Sequence, residues 1–398
     1  SGADQAVGDT VTARNLLDLQ AARVPNAYPG RPDLEAEMTE VLADGYDRLG
    51  LYPKALPLAQ RALELKEASV GPDHPEAASA LNLVGWITHE MGRSADAVPL
   101  LERAIAVRRQ AGAQARVELS RSLNDLGVVF NELGRYPEAQ QVLTEALAIR
   151  RASLGDDHRA VGITANNLAA AHYFQRQYDT AIVVQDLALR ALQQSVGADH
   201  QRTVVALGNL AAFRSAKGDW TSAESDYREL LRRQTAIHGR EHPVIARVML
   251  SLAIVLSELG TGDRNDSALA EAETLLRDAL AAFEARLGPE HPQVGAALDR
   301  LTRVLLARGN GAAAVPVQTR AVAILRRSSG DTSRVVAAAK GRLALARLES
   351  ARSHLEAGRR RPVDSLLSLV RAGLGDSLPG RDRIQALLDS MTAAASQR

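Results

Sequence analysis

Apolar residues in this chain recur at helical spacing, and the helical segments themselves recur every 42 residues. In one period, Leu123, Leu126 and Val129 stand three positions apart, which predicts one buried face of a helix. After Gly134 the helical spacing resumes as a second helix, which we expect to end at a left-handed Gly155. Each period therefore predicts two helices joined by a short turn.

Three kinds of residue mark this period in a single register. A loop of glycine, an acidic residue and histidine separates successive repeats, a glycine separates the two helices of a repeat, and a small residue stands in the second helix. The loops begin at Gly71, Gly112 (degenerate), Gly155, Gly197, Gly239 and Gly288; the separating glycines are Gly50, Gly92, Gly134, Gly218, Gly260 and Gly309; the small residues are Ala62, Ala104, Ala146, Ala188, Ala279 and Ala321. The loops at Gly239 and Gly288 are 49 residues apart, which predicts a seven-residue insertion at 261–267.

This repetition predicts an all-α fold, a right-handed α-solenoid of antiparallel helix pairs. Seven repeats run from 34 to 329, after an N-terminal helix and linker at 1–33. Residues 330–398 are expected to form a divergent eighth repeat and C-terminal capping helices, with the register broken at 359–362.

Small residues also occupy positions where the two helices of a repeat must approach closely. They are Gly85, Gly127, Ala169, Ala211 and Ala253 on first helices, and Ala97, Ala139, Ala181 and Ala223 on second helices. With an aromatic residue after the turn, as at Tyr136 and Tyr178, this pattern resembles the tetratricopeptide repeat. The 42-residue period and the Gly-x-Asp-His-Pro loop are similar to the kinesin-light-chain type. HEAT and armadillo repeats share the period but lack this register of small residues.

A segment before the repeats carries a second resemblance. Residues 8–18 and 21–24 are similar to the segment that begins the C-terminal tetratricopeptide region of bacterial membrane-bound serine/threonine protein kinases, and residues 35–64 resemble that family's first repeat. In that family a kinase domain and one transmembrane helix precede the repeats, which lie on the outer side of the membrane. The resemblance implies that this chain is the sensor or docking region of such a kinase. The alternative is a cytoplasmic adaptor or regulator module unconnected to a kinase.

The chain carries none of the kinase motifs, so we expect it to have no enzymatic activity of its own. His158-Arg159, for example, is followed by Ala160 rather than by the aspartate of a catalytic loop. The chain opens on Ser1 rather than on methionine, and we expect it to be a segment of a longer protein.

Composition narrows the partners further. The formal net charge is +1, and there is no long apolar run, so we expect neither nucleic-acid binding nor membrane contact by this segment. The absence of cysteine excludes disulfides and thiolate chemistry. We expect a protein or peptide partner and no cofactor, while dimerisation through an end of the stack stays open.

The histidine motifs do not predict a metal site. The string from His238 to His242 matches a zinc-protease pattern, but that pattern requires both histidines on one continuous helix, and Gly239 interrupts it. The string is one copy of the repeat loop, whose histidines we expect to cap helices or contact the adjacent loop. We therefore predict no metal and no catalytic residue.

The remaining functional signal is the face of the first helices, which lines the groove in this type of repeat. Positions i, i+3, i+7 and i+10 of each first helix share that face. The predicted peptide-binding residues are Glu37, Glu40, Asp44, Asp47, Asn82, Trp86, His89, Arg121, Asn124, Asn131, Asn166, Asn167, Tyr173 and Asn209. The four acidic residues of the first repeat favour a partner that is basic at one end.

The recurring asparagines have two interpretations. In the kinesin-light-chain type, matching asparagines hold the backbone of an extended peptide, for which an amide has both donor and acceptor. Alternatively, the asparagines bridge adjacent helices. The first interpretation predicts that Asn124→Ala combined with Asn166→Ala weakens partner binding at little cost in thermal stability.

Overall fold

The computed structural model describes residues 12–240, 242–262, 265–374 and 378–397, and every regular element in these residues is helical. Eighteen α-helices and a short 3-10 turn at Gly112–Ala115 make up this part of the chain. The helices are α1 Ala13–Ala27, α2 Pro32–Arg48, α3 Tyr52–Val70, α4 Pro75–Glu90, α5 Ser94–Gln110, α6 Arg116–Glu132, α7 Tyr136–Leu154, α8 Arg159–Phe174, α9 Tyr178–Val196, α10 Gln201–Lys217, α11 Trp220–His238, α12 Pro243–Gly262, α13 Asp266–Leu287, α14 Pro292–Ala307, α15 Gly311–Ser329, α16 Arg334–Glu356, α17 Arg360–Gly373 and α18 Arg381–Gln397.

The chain divides into two compact parts. The N-terminal part comprises residues 1–206 and the C-terminal part residues 207–398, so the division falls within α10. In each part successive helices pack as pairs, as α8 does with α9 and α12 with α13. The even-numbered helices α2 to α16 are the first helices of eight repeats. The core of each part is dominated by leucine, valine and alanine. The alanines let neighbouring helices approach closely, and the larger leucine and valine side chains fill the space between them.

The loop between repeats has a defined role for its glycine and its histidine. Gly155 adopts φ 83° and ψ 160°, a region that is essentially restricted to glycine and differs from the left-handed helical conformation expected there. His158 then caps α8, because its Nδ1 accepts a hydrogen bond from the backbone N–H of Ala160 at 3.1 Å. The same cap recurs at His74, His200, His242 and His291.

The helices on either side of the predicted insertion are longer than their counterparts in the fourth repeat. Helix α12 has 20 residues where α8 has 16, and α13 has 22 where α9 has 19. Gly260 therefore lies inside α12, unlike the other separating glycines, and a Cβ at this position would lie 2.6 Å from Cγ of Leu269. Asn265 caps α13 by accepting from the N–H groups of Ser267 and Ala268.

Residues 359–362 lie at the start of α17, which packs on α16. The turn glycine Gly358 just before them follows Gly309 by 49 residues instead of 42. The eighth repeat differs from the others because α16 has 23 residues, and α18 contacts both α16 and α17. A proline near the start of a helix interrupts no backbone hydrogen bond, so Pro362 is compatible with the first turn of α17.

Helix α12 is long and apolar enough, by length and composition, to cross a membrane. Half of its most apolar window is buried within the C-terminal part, where α12 packs against α11, α13 and α14. Helix α12 also contains Arg247 and Glu258.

Candidate functional site

Buried basic side chains of the second helices join successive repeats. Arg108 on α5 is 3% exposed. Its guanidinium donates to the Asn82 side-chain oxygen at 3.4 Å, to the Glu118 carbonyl oxygen at 3.1 Å, and to the Ser122 hydroxyl. Because Asn82 belongs to α4 and the other two acceptors belong to α6, one side chain links first helices of two repeats.

Arg150 repeats this arrangement one period later. Its guanidinium donates to the Ser120 hydroxyl at 3.2 Å, to the Ala160 carbonyl oxygen at 3.0 Å, and to the Thr164 hydroxyl. Burial lowers the pKa of Arg150, because the charged guanidinium is removed from water. The hydrogen bonds to Ser120, Ala160 and Thr164 replace the water that would otherwise solvate the charge. In the first repeat Lys66 occupies the same position and pairs with Glu40.

Asn82 and Asn124 belong to this network, which corrects the prediction that they line an open groove. Their side chains are 3% and 7% exposed. Asn82 donates to Asp125 at 2.9 Å, and the Oδ1 atom of Asn124 accepts from Thr164 at 3.0 Å and from Asn167 at 3.2 Å. Both amides therefore bridge adjacent first helices. This geometry does not agree with the expectation that Asn124→Ala combined with Asn166→Ala costs little thermal stability.

The network changes at the fourth repeat. Leu192 stands where the first three repeats have Lys66, Arg108 and Arg150. Gln185, fully buried on α9, takes over by donating to the Asn166 side-chain oxygen at 3.0 Å and to the Ala206 carbonyl oxygen at 2.9 Å. The C-terminal part repeats this second arrangement with Gln318, which donates to Asp299 at 2.8 Å and to the Ala339 carbonyl oxygen at 3.0 Å.

A cavity of about 420 Å³ opens beside Leu192 on the face of the first helices. Its walls are Ile163, Asn166 and Asn167 on α8, Leu192 on α9, and His200, Gln201, Arg202 and Val205 at the start of α10. Asn167 uses one N–H to contact Asn124, and within the described residues its Oδ1 accepts no hydrogen bond. The cavity thus combines amide groups, a guanidinium and an apolar wall.

Aromatic side chains line the same face near the turn between paired helices. Trp86 and Tyr173 are both half-buried, and Tyr173 packs edge-on against Phe174 with ring centroids 5.4 Å apart. Phe174 is 56% exposed and stacks on Tyr136 at 5.0 Å. Phe174 is not among the predicted groove residues, although it directly follows one of them, Tyr173.

Other predicted residues near this turn differ in their access to solvent. His89 is buried, with its Nδ1 3.0 Å from the Ser94 hydroxyl and 3.3 Å from a Glu132 carboxylate oxygen. Asn131 is half-buried and donates to the Asn167 carbonyl oxygen at 2.9 Å. Arg121 is exposed. His89 is therefore a supporting residue, whereas Arg121 is open to a ligand.

The predicted acidic residues of the first repeat lie on α2. Glu37 is exposed, Glu40 pairs with Lys66, and Asp44 pairs with Arg48 at 2.6 Å. Burial, together with the nearby carboxylates of Glu90 and Asp44, raises the pKa of Asp47 to about 6. A carboxylate whose charge is destabilised by its surroundings can be stabilised by an incoming cation.

Asn209 is half-buried on α10 in the C-terminal part, so it belongs to a different compact part from the cavity.

The residues that sequence reasoning missed are the buried basic side chains of the second helices. Their own 42-residue spacing, from Lys66 to Arg108 to Arg150, was the signal that could have revealed them.

Comparison with known protein families agrees with this repeat architecture. A family model described as tetratricopeptide repeat matches residues 34–110, 118–194, 202–261 and 264–327. The matched ranges make up well over half of the chain. The chain belongs to the tetratricopeptide-repeat family. Such repeats are protein-interaction scaffolds, and no catalytic domain is evident in this segment.

Solved structures share the tetratricopeptide fold. BtubC (BKLC) from P. vanneervenii is 23% identical, covers 57% of this chain and 93% of its own, and gives a TM-score of 0.50. A STAND signal-transduction ATPase with a tetratricopeptide repeat sensor from Pyrococcus horikoshii is 15% identical, with 96% of this chain and 52% of that chain covered and a TM-score of 0.61. A putative kinesin light chain from Podosopora anserina is 21% identical over 54% of this chain and 98% of its own, with a TM-score of 0.47.

At these identities the likeness concerns the fold alone. No curated protein matches the sequence of this chain.

Proposed function

We propose that the first-helix face of the N-terminal part binds an extended segment of a partner protein, with the cavity at Asn166 and Asn167 as its anchor point. The observation that carries this proposal is the exchange of a buried basic residue for Leu192. In the second and third repeats Arg108 and Arg150 join neighbouring first helices, whereas beside Leu192 a cavity of about 420 Å³ is open.

The chemistry of the cavity suits one side chain and its adjoining peptide group. Ile163, Leu192 and Val205 supply apolar contact, and Asn167 supplies an amide acceptor that the described residues leave unused. Sites for small groups commonly combine an apolar wall with a few such polar atoms. Tyr173 and Phe174 add aromatic surface on the same helix.

The acidic first repeat gives the bound segment a direction. Glu37, Asp44 and Asp47 lie three repeats before Asn166, and helix pairs stack at about 10 Å. An extended chain advances about 3.3 Å per residue, so about nine residues separate a basic end at the first repeat from the anchor side chain. The predicted ligand is therefore a segment of about 12 residues with its basic end at α2.

The test fills the cavity without disturbing the core. Val205 is 50% exposed at the cavity wall, and Val183 is 68% exposed on α9 outside it. The chain is used to select binders from an array of 12-residue peptides, and the selected peptides are titrated against Val205→Trp and Val183→Trp by fluorescence anisotropy. We expect Val205→Trp to weaken binding at least tenfold while Val183→Trp binds normally. Equal affinity of the two variants would show that the cavity is not the anchor.

We further propose that the natural setting of this scaffold is the docking or sensor region of a serine/threonine kinase. The support is the resemblance of residues 8–18 and 21–24, of which residues 8–11 lie outside the described part of the chain. In α1, Asp18 accepts hydrogen bonds from Tyr46 at 2.6 Å and from Lys54 at 2.5 Å, so this segment is built into the first repeat. Sequencing the coding region upstream of Ser1 tests the proposal: kinase motifs followed by an apolar helix support it, and their absence favours a cytoplasmic adaptor.

A further inference from the structure

Ion pairs join the second helices of successive repeats at one recurring position. They are Glu67 with Arg103, Arg109 with Glu145, and Glu284 with Arg320, at 2.7, 2.6 and 2.5 Å. In the first and last of these pairs the arginine also donates to a carbonyl oxygen of the loop before its own repeat, which belongs to Pro72 at 3.3 Å and to Pro289 at 2.9 Å. The arginine therefore ties its helix both to the preceding second helix and to the loop that follows that helix.

Between α11 and α13 this ion pair is missing. Its two positions hold Thr235 and Asp278, and within the described residues neither side chain forms a hydrogen bond or an ion pair. The loop position of Pro72 and Pro289 holds Arg240, whose side chain is exposed and likewise unpaired in the part of the chain that the structure describes. The contact between α11 and α13 thus lacks the cross-link that is present at three other places.

A groove lies where the ion pair is missing. Two cavities of about 440 and 470 Å³ are lined by α11, α12 and α13, and they adjoin because Arg240 and Met249 line both. Leucines from all three helices supply apolar lining in the first cavity: Leu231, Leu252 and Leu275. Three alanines of α13 line the second cavity, so its wall projects little into the groove. The groove is therefore apolar along its floor and open to a bulky occupant.

Charged side chains border the groove in a defined order. At one end Arg228 and Glu271 pair across it at 2.6 Å, which neutralises both. Asp278 and Arg286 lie farther along α13, eight residues or about 12 Å apart, and Arg240 lines the same cavity. Among the described residues, Asp278, Arg240 and Arg286 have no ion-pair partner. The open part of the groove thus offers one unpaired carboxylate and, about two helical turns away, unpaired guanidinium groups.

We propose that this groove binds an amphipathic helix of a partner protein, with a basic side chain facing Asp278 and an acidic side chain facing Arg240 and Arg286. The spacing of the free charges along α13 matches residues two turns apart on a facing helix, and the apolar floor matches its apolar stripe. Small side chains on α13 permit the close approach that packed helices need. The second helices and a loop form this site, so it does not depend on the first-helix face proposed above.

The experiment uses the full chain and an array of amphipathic peptides of about 18 residues, long enough to span the groove. Lys and Glu are fixed eight residues apart on each peptide, and the apolar stripe varies. The best binder is made again with Glu and Glu, or Gln and Gln, at the two fixed places. Fluorescence anisotropy gives the affinity of the three peptides for the wild-type protein, for Asp278→Lys, and for Thr235→Glu/Asp278→Arg, which installs the missing ion pair. The control Asp364→Lys changes an exposed carboxylate on α17, outside the groove. Circular dichroism confirms that every variant is folded.

We expect the wild-type protein and the control to bind the Lys/Glu peptide about tenfold more tightly than the other two peptides. Asp278→Lys should prefer the Glu/Glu peptide, and the double variant should bind every peptide about tenfold more weakly because the new ion pair closes the groove. Four results would each overturn the proposal: no binder in the array, equal affinity of the wild-type protein for the three peptides, an unchanged preference in Asp278→Lys, or full affinity in the double variant. An equal change in Asp364→Lys would also overturn it, because net charge alone would then explain the effect.

Discussion

Asn124→Ala offers the most direct test of how the repeats are held together. The Asn124 side chain is 7% exposed, and its oxygen accepts from Thr164 at 3.0 Å and from Asn167 at 3.2 Å, both on the next repeat. Removal of the amide deletes two hydrogen bonds, each contributing about 1 kcal/mol. It also leaves the fully buried Thr164 hydroxyl without its acceptor, so we expect a total loss of about 2–3 kcal/mol in the free energy of unfolding.

The assay is urea unfolding of the variant, followed by circular dichroism, with native-state hydrogen exchange to locate the effect. Because each repeat contacts mainly its neighbours, exchange should accelerate in α6 and α8 more than in α2. Asn131→Ala is the matched control, since Asn131 is half-buried and donates a single bond to the Asn167 carbonyl oxygen. We expect the control to lose no more than about 1 kcal/mol.

One result would refute this reasoning. If Asn124→Ala unfolds at the same urea concentration as the wild-type protein and yet binds selected peptides more weakly, the amide serves the ligand and not the interface between repeats.

Two further changes test other features of the structure. Asp47→Asn should stabilise the protein by about 1 kcal/mol above pH 7, because the raised pKa of about 6 means that ionised Asp47 opposes folding. The gain should shrink progressively as the pH falls below about 6 and vanish near about pH 4, where the carboxyl group is neutral in the unfolded chain as well. A gain that does not change with pH in urea unfolding would contradict this. Gly311→Ala should destabilise the C-terminal part by about 2–3 kcal/mol. The reason is that a Cβ at this position would lie 2.6 Å from the Glu349 carbonyl carbon. The control Ala312→Ser changes an exposed neighbouring residue and should unfold like the wild-type protein.

Gly311 also shows how a local departure from the repeat pattern follows from packing. The equivalent position holds an aromatic residue in other repeats, such as Tyr136 and Tyr178. In the seventh repeat the backbone of α16 at Glu349 and Ser350 occupies the space that a side chain would need. A single-sequence reading detects the glycine but cannot connect it to a helix about 40 residues away.

Features that depend on short stretches of chain were predictable. The alternation of helices follows from apolar spacing, and the loop glycine recurs because its φ of 83° and ψ of 160° at Gly155 exclude a side chain. The turn between the two helices of a repeat also requires a positive φ. Arg176 replaces the glycine of this turn in the fourth repeat and still adopts a φ of 60°. The insertion predicted at 261–267 follows from loop spacing, whereas the close approach of Gly260 to Leu269 is visible only in the tertiary structure.

The sequence by itself determined the family of this protein, the period of its helix pairs and the face on which its polar residues gather, because these depend on spacing within one repeat. Only the tertiary structure decided which of those polar residues are free to meet a partner. Asn82 and Asn124 are buried and bonded to the adjacent repeat, and Asn82 also accepts from Arg108 of a second helix. Where Leu192 replaces that arginine, a cavity opens beside it and Gln185 links the helices instead, since a leucine cannot donate hydrogen bonds.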